Sequence, residues 1–198
     1  ALNELGVDKT FLREEQIKGI EELPTDAVVG NENVLEYLGL DDVIFDINVL
    51  ANRSDILAIY SLAKELSALF DRKLNIPEPK KYNEVSSLIT CSSATEDCPQ
   101  FSIKVVKDVV TKESPLWLKN FLMAQGIRSI NNIVDIGNYV MILTGQPIHM
   151  YDLDKLGSNN FVVKSDFEGE VVCLDEKTYK IEKGDLVVTN NDKPVCLA

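Results

Sequence analysis

Apolar residues recur along the chain with two different periods, and each period predicts a different element. Between Ser54 and Phe70, the residues Ile56, Ile59, Tyr60, Ala63, Leu66 and Leu69 or Phe70 return every three or four positions, the spacing of an amphipathic helix. Ser54 or Asp55 is placed to cap that helix, and the acid suits the positive end of the helix dipole. Val43 to Val49 (VIFDINV) is rich in β-formers and partly alternates, which predicts a strand with one face buried. Asn33 to Leu38 reads as a short helix closed by Gly39. Residues 71–89, with Pro77, Pro79 and serines among lysines, read as a linker.

The second half changes period twice. Gln100 to Val110 (QFSIKVVKDVV) predicts a strand. Ser114 and Pro115 then open a helix that carries Leu116, Trp117, Phe121, Leu122 and Met123 and ends at Gly126. Asn131 or Asn132 caps a second helix through Ile133, Ile136, Tyr139, Val140 and Leu143, which stops at Gly145. Four short strand-like runs follow, Phe161–Lys164, Val171–Leu174, Thr178–Ile181 and Leu186–Val188, with turns expected at Asp175-Glu176 and Asn190-Asn191-Asp192. Lys193 to Ala198 reads as one more strand.

The predicted architecture is α+β in two parts. A partial α/β structural domain covers residues 1–73 and a linker covers 74–89. An α+β domain over 90–198 has two helices followed by a mainly antiparallel sheet. Without an opening Met, and with a strand running to its last residues, the chain reads as a piece of a longer protein.

Composition narrows the function classes. The 198 residues are 45% hydrophobic and 26% charged, enough apolar surface for a sizeable core. A net charge of -12 argues against a generic nucleic-acid coat or a binder of anionic membranes, both of which need a dense cationic face. The four cysteines (Cys91, Cys98, Cys173, Cys196) form no CxxC pair, so packing or surface roles in a reduced, cytoplasmic protein are expected. No apolar run is long enough to span a bilayer. The charge is uneven, however. Residues 1–50 hold 3 Lys or Arg against 12 Asp or Glu, whereas residues 101–150 hold 5 against 3. That positive quarter also contains the only His and the only Trp, and it is where an anionic substrate would dock.

The common catalytic motifs are absent: no P-loop, no GxGxxG and no GxSxG occur, and one histidine rules out HExxH zinc sites. What remains is Gly126 to Leu156, GIRSINNIVDIGNYVMILTGQPIHMYDLDKL. Arg128, Asn131, Asn132, Asp135, Asn138, Gln146 and His149 lie within this apolar stretch. On a helix Asn131, Asp135 and Asn138 share one face, and such a stripe costs stability unless its groups are paired or reserved for a ligand. From the residues alone two readings stay open. Asn131 and Asn132 fit helix caps, Asp135 a structural acceptor, Arg128 a surface charge, His149 a loop residue, and Trp117 with Phe121 the core. The same groups could also line a binding pocket, but periodicity alone does not make this an enzyme.

The run SPLWLKNFLMAQGIRSINNIVDIGNYVMILTGQPIHMYDLDKL resembles the signature of the beta subunit of bacterial phenylalanyl-tRNA synthetase, in the domain that edits mischarged tRNA. Asp46-Ile47-Asn48 through Asn52-Arg53-Ser54-Asp55, followed by LAIYSLAKELSAL, is similar to the family's NRxD segment and the helix after it. LPTDAVVGNENVLEYLGLDD resembles the stretch before that segment, and CPQFSIKVV the first strand of the editing domain.

The resemblance implies hydrolysis of mischarged Tyr-tRNA(Phe). His149 would hold the tRNA 3′ end and the hydrolytic water, Asn138 would be a pocket amide, and Arg128 would bind the substrate. It also implies an alpha-subunit partner in an alpha2beta2 enzyme, tRNA(Phe) as substrate, and no membrane. ATP and Mg²⁺ would belong to the alpha subunit, with no cofactor held here. Gly137 stands where the family usually has threonine, and Met150-Tyr151 where Ala-Phe is more common. In the family, Cys196-Leu197-Ala198 would precede a glycine-rich turn and a glutamate that accepts the tyrosine hydroxyl. This piece alone would then hold one wall of the pocket and edit weakly or not at all. The non-catalytic alternative is a scaffold, or a module that binds RNA or peptide.

Overall fold

The structure is a computed structural model and describes residues 1–23, 25–81, 88–174 and 176–197. The chain forms two units, each assembled from two stretches: residues 1–78 with 110–150, and residues 79–109 with 151–198.

The first unit is helical. It contains α1 (Glu14–Lys18), α2 (Val34–Tyr37), α3 (Ile59–Phe70), α4 (Leu116–Ala124) and α5 (Asn132–Thr144). Helix α2 lies where the pattern predicts it. Gly39 takes a left-handed conformation (φ 64°), and the Leu40 N–H closes onto the Leu35 carbonyl at 2.8 Å. That bond satisfies an end carbonyl, and glycine adopts the required φ without a Cβ clash. The remaining carbonyls of Leu38 and Gly39 accept from Asn120 Nδ2 at 2.6 and 3.2 Å, which fastens α2 to α4.

Helix α3 has the predicted period but starts later than Ser54. A 3-10 turn covers Ser54–Leu57, Ala58 is extended, and the α-helix begins at Ile59 with no side-chain cap. Asp55 is not free to cap because Arg53 holds it: Nε and Nη2 each donate to its carboxylate at 3.0 Å. Arg53 Nη1 also donates to Glu65, within α3, at 3.2 Å. The guanidinium holds the Asp55 carboxyl below its usual value.

Val43–Val49 forms no strand. Val43, Ile44 and Phe45 are 74%, 66% and 80% exposed. The β-propensity is present, but a strand needs a neighbour to receive its hydrogen bonds, and the described residues of this unit include no other strand. Ser114 is likewise not the cap of α4. Pro115 occupies the cap position, while Ser114 is buried and bonded elsewhere. Gly126 (φ 76°) ends α4 as expected, with the Ile127 N–H donating to the Leu122 carbonyl at 2.8 Å.

The second unit holds the sheets. β1 (Thr90–Ser93), β2 (Asn160–Lys164), β5 (Val187–Asn190) and β6 (Lys193–Leu197) form a sheet in the order β1-β2-β5-β6. β3 (Gly169–Val172) and β4 (Thr178–Ile181) pair separately. All pairs are antiparallel except β1 with β2, so the fold is α+β with a mainly antiparallel sheet. Phe161, Val163 and Val188 form the core, and Phe101, Ile103, Tyr151 and Leu156 pack around them. β5 lies between two strands and is buried along its whole length. Its Thr189 and Asn190 are satisfied by the carbonyls of Val162, Ser158 and Asn160.

Asn191 and Asp192 both have positive φ (50° and 62°), the conformation a two-residue hairpin turn demands, and they join β5 to β6. Of the other expected turn, Glu176 (φ 62°) is seen and Asp175 lies outside the described residues. Residues 82–87 of the expected linker and Ala198 of the last expected strand lie outside them too. The strand expected over Gln100–Val110 does not form. Burial does alternate from Phe101 to Val106, so the two-residue period reports a packed face, but no ladder accompanies it.

Two carboxyls tie the first unit together, and both are held below their usual values. Arg53 lowers Asp55, and Lys119 followed by Arg13 lowers Glu113. A depressed carboxyl stabilises the fold above its unfolded value and loses that contribution as pH falls through its folded value. Stability should therefore be level at neutral pH and decline as pH drops below 4.5 for Glu113 and 3.8 for Asp55. In urea titrations across pH, Arg53→Met should be weaker than wild type at pH 7, with the gap closing in acid. A gap that persists at low pH would show that the guanidinium acts through packing rather than charge.

Candidate functional site

The segment singled out by sequence folds as α4, a short connection, α5 and an irregular strand of chain running to Met150. Asn131 is the cap of α5: its Oδ1 accepts from the Ile133 and Val134 N–H groups, both at 3.0 Å. Asn132 begins the helix and reaches back, accepting from the Lys112 N–H at 2.9 Å and donating to the Val110 carbonyl at 3.0 Å. The fold thus uses the Oδ1 of Asn131 and both ends of the Asn132 amide.

Asp135 is fully buried. Its Oδ2 accepts from the hydroxyls of Ser114 and Ser129, the latter at 2.5 Å, and its Oδ1 accepts from the Ile130 N–H at 2.9 Å. A buried carboxyl costs several kcal/mol unless its lone pairs are satisfied, and these three donors satisfy them. This makes Asp135 the structural acceptor of the two readings. The pattern could not have revealed its ring of donors, because Ser114 reads as a helix cap and Ser129 as a loop residue.

Asn138 has a different situation. It is half-buried in the middle of α5, and no hydrogen bond engages its side chain among the described residues. Its neighbour Gly137 explains what lies over this part of the helix. A Cβ built at Gly137 would sit 3.6 Å from the Met150 methyl carbon and 3.7 Å from the Ile148 carbonyl oxygen. The residues on either side of His149 therefore lie on α5 at the position next to Asn138. The start of that crossing is pinned. Thr144 Oγ1 donates to the Val140 carbonyl at 2.8 Å and accepts from the Gln146 N–H at 3.1 Å, while Gly145 (φ 78°) ends the helix. Gly137 costs the helix about 1 kcal/mol relative to alanine, although a Cβ there would meet the crossing chain at ordinary contact distance.

His149 itself is exposed, with no hydrogen bond or ion pair among the described residues. Arg128 is also exposed and unpaired, in the connection between α4 and α5. The segment holding His149 crosses α5 at Gly137, the residue before Asn138, and among the described residues no hydrogen bond links Arg128, Asn138 and His149 to one another. Trp117 and Phe121, open between core and platform on sequence, both stand edge-on to Tyr139, with ring centroids 5.4 and 4.9 Å away. Phe121 is half-buried and Trp117 is 59% exposed. Chemically, an exposed imidazole and an unengaged amide can each hold hydroxyl groups and orient water.

Elsewhere the surface offers two shallow recesses. One of about 510 Å³ is lined by Ser54, Ala58, Ser61, Met141 and Thr144 among others, and one of about 530 Å³ lies along the β3–β4 pair. Neither includes His149, Asn138 or Arg128. The four cysteines are unpaired, and burial raises the Cys196 thiol. Burial, reinforced by the Cys196 thiol, also pushes the Tyr151 hydroxyl up. Among the described residues, no group of three or more His, Cys, Asp or Glu side chains converges where a metal could be held.

Comparison with known proteins adds to this geometry. Residues 97–198 match the B3/4 domain family. Over its whole length the chain is 41% identical to the phenylalanine--tRNA ligase beta subunit of Oceanobacillus iheyensis, covering 25% of that protein. It is 38% identical to the one from Streptococcus pneumoniae strain R6 (25% covered) and 40% to the one from Thermotoga maritima (24% covered). The chain thus spans about a quarter of the length of these curated relatives.

The Asp135 arrangement has a measurable consequence. Asp135→Ala leaves two hydroxyls and an N–H without their shared acceptor, and hydrogen bonds to a carboxyl contribute about 1.5–3 kcal/mol each. The variant should lose at least about 3 kcal/mol by urea denaturation, and the loss should shrink when Ser114 is already alanine. Additive losses in the double variant would separate the two side chains energetically.

Proposed function

The chain belongs to the B3/4 domain family, and from that premise we propose that it acts, as part of a phenylalanyl-tRNA synthetase beta subunit, in hydrolytic editing of mischarged Tyr-tRNA(Phe). The observation that carries this reading is the crossing of Ile148–Met150, the segment that holds His149, over α5 at Gly137, the residue before the unengaged Asn138. The editing domain is taken as residues 90–198, a division supported by the family match over 97–198. Residues 1–73 are a partial structural domain and 74–89 the linker.

The reaction is attack of water on the aminoacyl ester. The new C–O bond forms as the ester bond breaks, giving free tyrosine and a tRNA with its terminal hydroxyl restored. No protein nucleophile is required. The chain must orient one water molecule and stabilise the tetrahedral oxyanion. In this proposal His149 and Asn138 hold the water and the terminal ribose, and Arg128 contacts a backbone phosphate. The chemistry also accounts for why a second site is useful. Phenylalanine and tyrosine differ by one hydroxyl, which an apolar synthetic pocket rejects weakly, whereas a site built to pair that hydroxyl rejects phenylalanine strongly. Aminoacylation, with its ATP and Mg²⁺, would belong to an alpha subunit, the partner in an alpha2beta2 enzyme working in the cytoplasm.

The test is deacylation of Tyr-tRNA(Phe) by the full-length beta subunit assembled with its alpha partner. Wild type should clear the mischarged tRNA, and His149→Ala should slow it by about 100-fold. Arg128→Ala should weaken tRNA binding with a smaller effect at saturating substrate. Full hydrolytic activity in the His149 variant would remove that residue from the reaction. No hydrolysis by the wild-type enzyme would favour a scaffold.

A further inference from the structure

We propose that Gly137 and Met150 are positioning residues whose complementary sizes set the place of His149 on α5. The inference rests on the editing reading for its catalytic consequence, but not for its structural one. Gly137 sits inside α5, with helix on both sides, so no turn or terminus calls for a glycine there. Its φ is negative, unlike that of Gly126 or Gly145, so the backbone makes no demand that only glycine could meet. What distinguishes the position is the chain lying on it. The Met150 methyl carbon and the Ile148 carbonyl oxygen occupy the space just beyond a Cβ, at 3.6 and 3.7 Å.

His149 is held between these two residues and makes no polar contact of its own among the described residues. Nothing else on its side chain fixes it, so its position follows from the two contacts that flank it. Met150 is 44% exposed and Ile148 46%, so the crossing has little burial to hold it beyond this fit. A thioether chain is long and adaptable enough to fill the shallow space that glycine leaves.

Size then predicts a definite series. In Gly137→Ala the added Cβ meets its neighbours at ordinary van der Waals distance, and the crossing stays in place. Valine extends one bond further, into the space of the Met150 methyl and the Ile148 carbonyl, and its stiff rotamer in a helix prevents it from turning aside. The crossing must lift. Shortening Met150 to alanine vacates the same space, so Gly137→Val with Met150→Ala lets the segment settle again. Met150→Ala alone leaves a gap, and the segment loosens.

Because His149 is the only histidine in the chain, its imidazole gives a single set of NMR resonances in the 198-residue protein. Those resonances should shift or broaden in Gly137→Val and in Met150→Ala, and return close to wild type in the double variant and in Gly137→Ala. In the full-length enzyme, Gly137→Val should slow Tyr-tRNA(Phe) deacylation by about 10- to 100-fold, mainly in kcat, with recovery in the double variant. Unmoved resonances in Gly137→Val would overturn the proposal, as would a double variant no better than the single. If Gly137→Val fails to fold, Met150→Ala decides alone: a shift supports the proposal and no shift overturns it. Resonances that follow the series in an enzyme that never deacylates Tyr-tRNA(Phe) would leave the positioning pair standing and remove the editing reading.

Discussion

The arrangement around α5 depends on one carboxyl group placed where water cannot reach it. Asp135 draws in the hydroxyl of Ser114 at the entrance to α4, and the Ser129 hydroxyl and Ile130 N–H from the connection between the helices. Each of those donors would be costly to bury alone, and so would the carboxyl. Together they satisfy one another and fix the entrance to α4 and the α5 end of the connection against the first turn of α5. The pairing of α4 with α5, including the edge-on contacts of Trp117 and Phe121 with Tyr139, is therefore anchored by polar groups inside an apolar setting. A polar centre of this kind tolerates little substitution, because half of it is worse than none.

With α5 held this way, its polar residues divide by role. Asn131, Asn132 and Asp135 have all their useful bonding directed inward, to caps and connections. Asn138, one turn beyond Asp135, has none among the described residues, and the segment that holds His149 crosses the helix at the preceding residue, Gly137. The fold thus uses three of these polar side chains for its own bonding and leaves the fourth unengaged among the described residues. The acidic average of the chain does not conflict with this. Twelve of its acidic residues lie in the first fifty positions, away in sequence from the quarter that carries Arg128 and His149.

The parts of the fold legible in sequence were those set by local interactions. Helices α4 and α5 followed from apolar spacing with Gly126 and Gly145 as stops, and the Asn131 cap from its own side chain. β2, β4 and the Asn191-Asp192 turn were read from alternation and turn chemistry. The failures share a cause. Val43–Val49 and Gln100–Val110 both carry strand character, but pairing is a property of two segments, and neither has a partner among the described residues. Asp55 and Ser114 are good caps that are engaged elsewhere, by Arg53 in one case and by Asp135 in the other. The site was legible in a similar proportion. His149, Asn138 and Arg128 stand out through the resemblance, whereas the fit between Gly137 and Met150 spans thirteen positions, across the end of α5 and an irregular segment, and no local pattern encodes it.

The interleaving of the two units bears on the order in which the protein can form. Arg13 meets Glu113 across a separation of 100 residues, Asn120 meets Leu38 across 82, and β1 pairs with β2 through Thr90 and Asn160 across 70. Closing loops of that length must come before the contacts that reward it, and high separation slows folding. On the ribosome, α2 would emerge long before the asparagine that secures its end, and β1 would wait for β2. The first 78 residues would spend that interval without the contacts of Glu113 and Asn120, a period in which a nascent chain is open to chaperones and to misassociation.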